Sequence, residues 1–164
     1  MKRFLDALDR FVRAALGAGQ WLVIPLLLLL FAQWPLRDFF HAYSREANDI
    51  GQWVFALYVA LAVTAATRAG THLAADTLAR GYKVKTRLMI ARLGALLGLL
   101  PWALFVMIAS RKIVVSSVMQ LELFPESYNP GYFILKCALW VLSALVIAQA
   151  ILDIARPNIP GEHP

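Results

Sequence analysis

The chain has 164 residues, of which 60% are hydrophobic and 16% are charged, and its mean hydropathy is +0.64. Soluble domains are usually about 45–50% apolar, so this composition argues against a soluble helical bundle and for a membrane protein. The single cysteine, Cys137, excludes an internal disulfide and a cysteine-rich zinc site.

The first thirteen residues, MKRFLDALDRFVR, predict an amphipathic helix that lies in the membrane interface. At helical spacing, Phe4, Leu8, Phe11 and Val12 share one face, and the charged residues lie mostly on the other. A frayed polar leader is the alternative. A cleaved signal peptide fits poorly, because acidic residues interrupt the basic leader and small residues precede the apolar run instead of following it.

Four stretches that are almost free of charge predict four transmembrane helices. They cover about residues 14–36, 50–67, 93–110 and 132–152, and the last includes Lys136 near the headgroups. A helix needs about 20 apolar residues to cross the hydrocarbon core, so each stretch can span with its flanks. The sequence therefore predicts an all-α membrane protein with a four-helix domain over residues 14–156 and a short tail over 157–164.

Glycine and proline mark special positions within these spans. Gly94 and Gly98 form a GxxxG pair, a pattern that permits close helix approach. Pro25 and Pro101 each predict a local kink. Beyond residue 110 the third helix is expected to continue to Pro125, where PESYNPGY reads as a turn.

Lysine and arginine are unevenly distributed around the spans. Eleven lie before the first span, between the second and third, or after the fourth, and five lie in the other two loops. By the positive-inside rule this asymmetry places both termini in the cytoplasm. It also explains the net charge of +6 without any binding of nucleic acid.

Charged side chains are absent from the interiors of the predicted spans. A transporter that acts alone usually carries ionisable residues at mid-membrane, so autonomous transport is disfavoured. Polar residues of the spans, Gln149 among them, are expected to form interhelical hydrogen bonds. His41 and His72 would lie on opposite sides of the membrane and cannot share a haem. We therefore expect no enzyme activity, no metal site and no cofactor.

The loop after the second span holds a regular series of polar residues. At intervals of four residues these are Arg68, His72, Asp76 and Arg80. If the helix continues through Gly70 they stack on one face, whereas if Gly70 ends it, Thr71 caps a new short helix. Two interpretations stay open: a charged face at the lipid headgroups, or a surface that docks or orders against a partner subunit.

Two segments link the chain to a known family. TRAGTHLAAD places an arginine, a glycine, a histidine and an aspartate directly after the second span, and SSVMQLELFPES places two serines before a proline. In both segments the chain resembles the small membrane subunit, the DctQ-like component, of tripartite ATP-independent periplasmic (TRAP) transporters. The resemblance covers about residues 14–156. Ala69 and Thr71 stand where this family often has glycine or another small residue, and Tyr128 stands where a tryptophan is frequent.

The resemblance implies a division of labour in the bacterial inner membrane. A periplasmic binding protein captures an organic acid, a large membrane subunit moves it with a sodium gradient, and the small subunit braces the large one in the lipid bilayer. Sodium would then be used by the partner subunit and not by this chain. The alternative is an independent small membrane protein that forms a homo-oligomeric channel or assists assembly.

Overall fold

The computed structural model describes residues 2–40, 44–69 and 82–156, without the side chains of residues 36 and 40. Its α-helices are α1 (Lys2–Gly19), α2 (Val23–Phe40), α3 (Arg45–Ala69), α4 (Val84–Gly94), α5 (Leu100–Ala109), α6 (Arg111–Met119) and α7 (Tyr132–Ala155). In these described ranges there is no β-strand, only an isolated bridge between Leu123 and Pro130. The prediction of an all-α chain is confirmed for this part of the molecule.

Four helical segments in the described part are long and apolar enough to cross a membrane. They are Lys2–Phe39, Arg45–Ala69, Val84–Ala109 and Tyr132–Ala155. The first joins α1 and α2 through a 3-10 turn at Gln20–Leu22, and the third joins α4 and α5 through a π-helical segment at Ala95–Leu99. Each overlaps one of the predicted spans, so the prediction of four is confirmed as four candidate membrane-spanning helices in the described part of the chain.

Helix α1 begins at Lys2 and is continuous with the first candidate span, because the chain keeps right-handed helical geometry on both sides of the 3-10 turn. Leu5 and Val12 are buried in a cluster with residues of α7. Phe4 and Phe11 are each 63% exposed. The apolar residues of the leader therefore form two rows, one packed inside the protein and one directed outward. Its placement in the membrane interface stays a prediction.

Helix α7 is the centre of the molecule. It packs against α1, α3, α4, the π-helical segment, α5 and α6. Of its apolar window 44% is buried, against 11–17% for the other three candidate spans. Helix α2 packs mainly on α3, and α5 packs mainly on α7. The pair α3 and α7 thus forms the middle of the fold, with α2 and α5 at its two edges.

The 3-10 turn and the π-helical segment each lie just before a proline. The carbonyls that the missing amide hydrogens of Pro25 and Pro101 would have bonded belong to Trp21, in the 3-10 turn, and Leu97, in the π-helical segment. Proline cannot donate this bond and its ring crowds the same carbonyl, so the helix changes its winding there. The sequence predicted a kink at each of these two prolines; the structure shows a change of winding before each of them, whereas Pro35 stands inside the regular helix α2.

The third helical segment does not continue to Pro125. Helix α5 ends at Ala109, Ser110 leaves ideal helical geometry at φ −81° and ψ −7°, and α6 ends at Met119. Leu121 then adopts a positive φ of 46°, and the amide of Glu122 bonds back to the Ser117 carbonyl. This is the hydrogen-bonding pattern of a left-handed helix end formed without glycine, which is why the predicted end at Pro125 was wrong.

Candidate functional site

Polar side chains from three helices meet at one end of the molecule, in a group that we call the Asp9 cluster. Its members are Asp6, Asp9 and Arg13 of α1, Arg68 of α3, Gln149 and Asp153 of α7, and Arg156 directly after α7. Three aspartates and three arginines give it balanced formal charges. It joins the middle of α1 to the last turn of α3 and the last turns of α7.

Arg68 makes the connections between the three helices. Its Nη2 forms an ion pair with Asp9 Oδ1, and its Nη1 donates a hydrogen bond of 3.4 Å to Gln149 Oε1. Arg13 Nη2 lies 2.5 Å from the other Asp9 oxygen. The side chains of Arg68 and Asp9 are only 26% and 21% exposed. The planar guanidinium fork suits such a double contact, which a lysine could not reproduce.

Gln149 continues the network along α7. It is 4% exposed, and its Nε2 donates to Asp153 Oδ1 at 2.8 Å. At the rim, Arg156 Nη1 pairs with Asp6 Oδ1 at 2.8 Å. The polar atoms of the cluster thus bond to one another. The cluster therefore links the helices and is not an open binding site.

A second polar group, the Asp49 cluster, lies at the opposite end of α3. Asp49 is 6% exposed and accepts hydrogen bonds from Ser127 Oγ at 2.5 Å and Asn129 Nδ2 at 2.9 Å. Arg45 Nη1 donates to the Glu126 carbonyl at 3.4 Å. The loop between α6 and α7 is therefore fastened to the first turns of α3.

Aromatic rings also pack against the loop between α6 and α7. Trp53 stacks at 6.2 Å from Phe124, and Phe124 meets Tyr132 edge-on at 5.3 Å. Gly131 has φ 117° and passes directly over the Trp53 indole, so a side chain at this position would collide with the ring. The loop has a specific conformation that only glycine permits at residue 131.

Glu122 links this loop to α7. Its carboxylate accepts hydrogen bonds from Lys136 Nζ and Ser117 Oγ. The lysine first, and then the serine hydroxyl, lower the pKa of Glu122 below its usual value. A lowered folded-state pKa means that the pair stabilises the fold at neutral pH and loses this effect only as the pH falls through that pKa.

Hydroxyl groups within the candidate spans bond to their own helices. Thr64 donates to the Ala60 carbonyl at 3.2 Å, and Ser143 donates to the Leu139 carbonyl at 2.9 Å. Ser110 donates to the Val106 carbonyl at 2.6 Å and accepts from the Trp140 indole. In the described ranges no group of three or more His, Cys, Asp or Glu residues could hold a metal ion.

Comparison with known families identifies the chain. A family model described as "Tripartite ATP-independent periplasmic transporters, DctQ component" matches residues 26–157. The chain belongs to the DctQ family. It is therefore a membrane component of a TRAP transporter and falls outside the enzyme families, as the resemblance in sequence implied. Searches among curated proteins and among solved structures found no significant match.

The DctQ match and the Asp9 cluster overlap only in part. Arg68, Gln149 and Asp153 lie within the matched residues, whereas Asp9 lies before them. The sequence indicated Arg68 and expected Gln149 to bond between helices, and the bond to Arg68 confirms the latter. It did not indicate Asp9 or Asp153. The one available signal was that acidic residues interrupt the basic leader of this DctQ chain.

Other predicted site residues have different outcomes. His72, Asp76 and Arg80 lie outside the described residues, so their stacking with Arg68 stays a prediction. Gly94 and Gly98 lie at the end of α4 and in the π-helical segment, and a Cβ at either position would meet no atom within 4 Å among the described residues. None of the described helices therefore packs closely on this glycine pair.

Proposed function

We propose that this DctQ-family chain is the small permease subunit that braces the large membrane subunit of a TRAP transporter. The large subunit would carry out sodium-driven uptake of an organic acid delivered by a periplasmic binding protein. One observation supports this role above all: the hydroxyls of the candidate spans are used within their own helices, and the charged clusters lie at the ends. A substrate crossing the membrane beside this chain would find the hydroxyls of Thr64, Ser110 and Ser143 already donating to their own helices.

The edges of the fold support a role beside a larger membrane protein. Helix α2 and the segment of α4 and α5 expose many large apolar side chains, including Phe31 at 71%, Leu97 at 71% and Phe105 at 68%. In a bilayer such faces contact lipid or another helix, and small residues favour the second. We propose that Gly94 and Gly98 mark the face that receives a helix of the large subunit.

We further propose that both termini lie in the cytoplasm, on the basis of the eleven-to-five distribution of basic residues. The Asp9 cluster then belongs to the cytoplasmic side, together with α1 and the loop that contains His72, Asp76 and Arg80. The Asp49 cluster belongs to the periplasmic side, where the binding protein delivers its substrate. The loop that contains His72, Asp76 and Arg80 would dock against the large subunit or be ordered by it.

Purification from the native host tests the proposal. The chain, tagged and expressed at its natural level, is extracted in a mild detergent, and its companions are identified by mass spectrometry. We expect a TRAP large membrane subunit in stable stoichiometry. Gly98→Leu should lower the yield of that complex without lowering the melting temperature of the isolated chain, because its Cβ meets nothing within the described part of the chain.

Gly17→Leu is the matched control for this substitution. Its Cβ also meets no atom within 4 Å, but it lies on α1, so the complex should persist. Recovery of a lone homo-oligomer would contradict the proposal and favour the channel or assembly-factor alternative. Proteoliposomes of both membrane subunits, given the binding protein and a panel of labelled organic acids, should take up substrate only with an inward sodium gradient. Uptake without one would remove the sodium part of the proposal.

A further inference from the structure

An open groove of about 520 Å³ lies between α6 and the first turns of α7, and we call it the Lys112 groove. Its polar lining consists of Lys112, Ser116, Ser117, Gln120, Glu122 and Lys136. It is separate from the Asp9 cluster and from the Asp49 cluster. Of its lining, only Ser117, Glu122 and Lys136 have a role described above, in linking the loop to α7.

The charges that line the groove are not balanced. Glu122 is already engaged by Lys136 and Ser117. Lys112 is exposed and has no acidic partner among the described residues. Two lysines against one glutamate leave the groove with one net positive charge. A ligand with one negative charge would neutralise it.

Hydrogen-bond donors stand beside this charge. Lys112, Ser116 and Gln120 recur at intervals of four residues, so they stack along one face of α6 and the residue that ends it. Gln120 Nε2 donates to Ser116 Oγ at 3.1 Å. The Ser116 hydroxyl finds no acceptor of its own among the described residues, so its hydrogen remains available. An ammonium and a hydroxyl that line the same groove are suited to an anion with several acceptor oxygens.

The surroundings indicate a lipid as the source of that anion. Ile113 lines the groove and is 59% exposed, and Val115 and Met119 on the same short helix are 45% and 80% exposed. Helix α6 follows the third candidate span after a single residue, so Lys112 lies close to the apolar part of the chain. Lysines in this position extend their stems toward lipid phosphates. A soluble anion would not explain the apolar border.

We propose that the Lys112 groove binds the phosphodiester headgroup of an anionic phospholipid such as phosphatidylglycerol. Lys112 supplies the charge, Ser116 and Gln120 supply hydrogen bonds, and the acyl chains lie along Ile113. A phosphatidylcholine headgroup carries no net charge and satisfies the groove less well. The inference does not depend on the proposed role in the transporter, because it concerns only the lipid contacts of this chain.

Native mass spectrometry of the full-length chain in detergent tests the proposal. The chain is titrated with phosphatidylglycerol or phosphatidylcholine, and the bound lipids are counted. We expect one phosphatidylglycerol to bind preferentially and its affinity to fall about fivefold in Lys112→Gln, the effect of one lysine on an anionic lipid. Arg111→Gln removes the same charge one residue away, outside the lining, and should bind as the unmodified chain does.

Further variants keep the test decisive if Lys112→Gln folds poorly. Lys112→Arg should retain phosphatidylglycerol, and Ser116→Ala should weaken it by a smaller factor. Equal losses in Lys112→Gln and Arg111→Gln would overturn the site in favour of general attraction by charge. Displacement of the lipid by millimolar inorganic phosphate would show a soluble-anion site and overturn the lipid assignment. Failure of Lys112→Gln to co-purify with the large subunit, with lipid binding intact, would show that a protein carboxylate covers Lys112.

Discussion

At the scale of single residues, the contact between Arg68 and Asp9 makes the clearest energetic prediction. Asp9→Asn removes the negative charge that faces the guanidinium, which is only 26% exposed, and leaves at most a neutral amide oxygen in its place. A hydrogen bond to a charged group contributes about 1.5–3 kcal/mol, so we expect a loss of stability in this range. Thermal or denaturant unfolding in detergent measures it. Arg68→Gln should cost a similar amount, and the double variant should cost much less than the sum.

Arg13→Gln is the control for this pair. Arg13 also contacts Asp9, but its side chain is 62% exposed. An exposed pair four residues apart on a helix is worth about 0.3–0.5 kcal/mol, so the melting temperature should hardly change. If Asp9→Asn and Arg68→Gln prove strictly additive, the two side chains do not interact in the membrane-bound protein.

The sequence predicted some members of the Asp9 cluster but not their partners. Arg68 was found because the sequence repeats polar residues every four positions after the second span. Its observed partners, Asp9 and Gln149, lie 59 and 81 positions away. Local spacing predicts neighbours on one helix, but it contains no information on which helices are adjacent. The pairing of Asp9 with Arg68 could therefore be identified only from the packing of α1 against α3 and α7.

At the scale of elements, the loop before α7 depends on Gly131. Gly131→Ala would force a side chain into the Trp53 indole at φ 117°. The unfavourable backbone alone costs about 1–2 kcal/mol, and the collision adds to it, so unfolding should occur at a clearly lower temperature. Because residue 131 lies against the Trp53 indole, the fluorescence of Trp53 should change as well.

Gly51→Ala is the matched substitution for this test. Gly51 lies within α3, and a Cβ there meets no atom within 4 Å among the described residues. Alanine in a helix interior is more favourable than glycine by about 0.5–1 kcal/mol, so this variant should be neutral or slightly more stable. Equal effects of the two alanines would mean that the loop conformation at Gly131 is not required.

The elements themselves were predictable to different degrees. The bilayer demands about 20 apolar residues per crossing, so windows without charge were enough to find the four candidate spans. The sequence did not predict the end of α6 at Met119, because Leu121 takes a positive φ that residues other than glycine rarely adopt. Proline was the visible signal, and the chain turns before reaching it.

At the scale of the whole molecule, the central position of α7 follows from its small residues. Ala138, Ser143, Ala148 and Ala150 are all buried, and small side chains let neighbouring helices approach closely where no hydrophobic effect drives them together. Mean hydropathy does not distinguish such a helix from its neighbours, because leucine and alanine are both apolar. The sequence thus predicted four spans but not which one the others surround.

The orientation of the whole molecule gives the last prediction. Eleven basic residues against five predict that both termini are cytoplasmic. In a Cys137→Ala background, Tyr128→Cys lies in the loop fastened by the Asp49 cluster, where Tyr128 is 76% exposed. Lys83→Cys lies before α4, at the opposite end of the third candidate span. An impermeant maleimide applied to intact spheroplasts should label Tyr128→Cys at once and Lys83→Cys only after the membrane is opened.

The parent Cys137→Ala chain must remain unlabelled throughout, which shows that each signal comes from the introduced thiol. The two labelling sites give opposite expectations because the third candidate span, Val84–Ala109, separates their loops and places them on opposite sides of the bilayer. Labelling of Lys83→Cys in intact spheroplasts, with Tyr128→Cys protected, would show that the orientation is the opposite of the one proposed. The Asp9 cluster would then face the periplasm, and the basic loop after α3 would oppose the positive-inside rule and need a bound anionic partner to explain it.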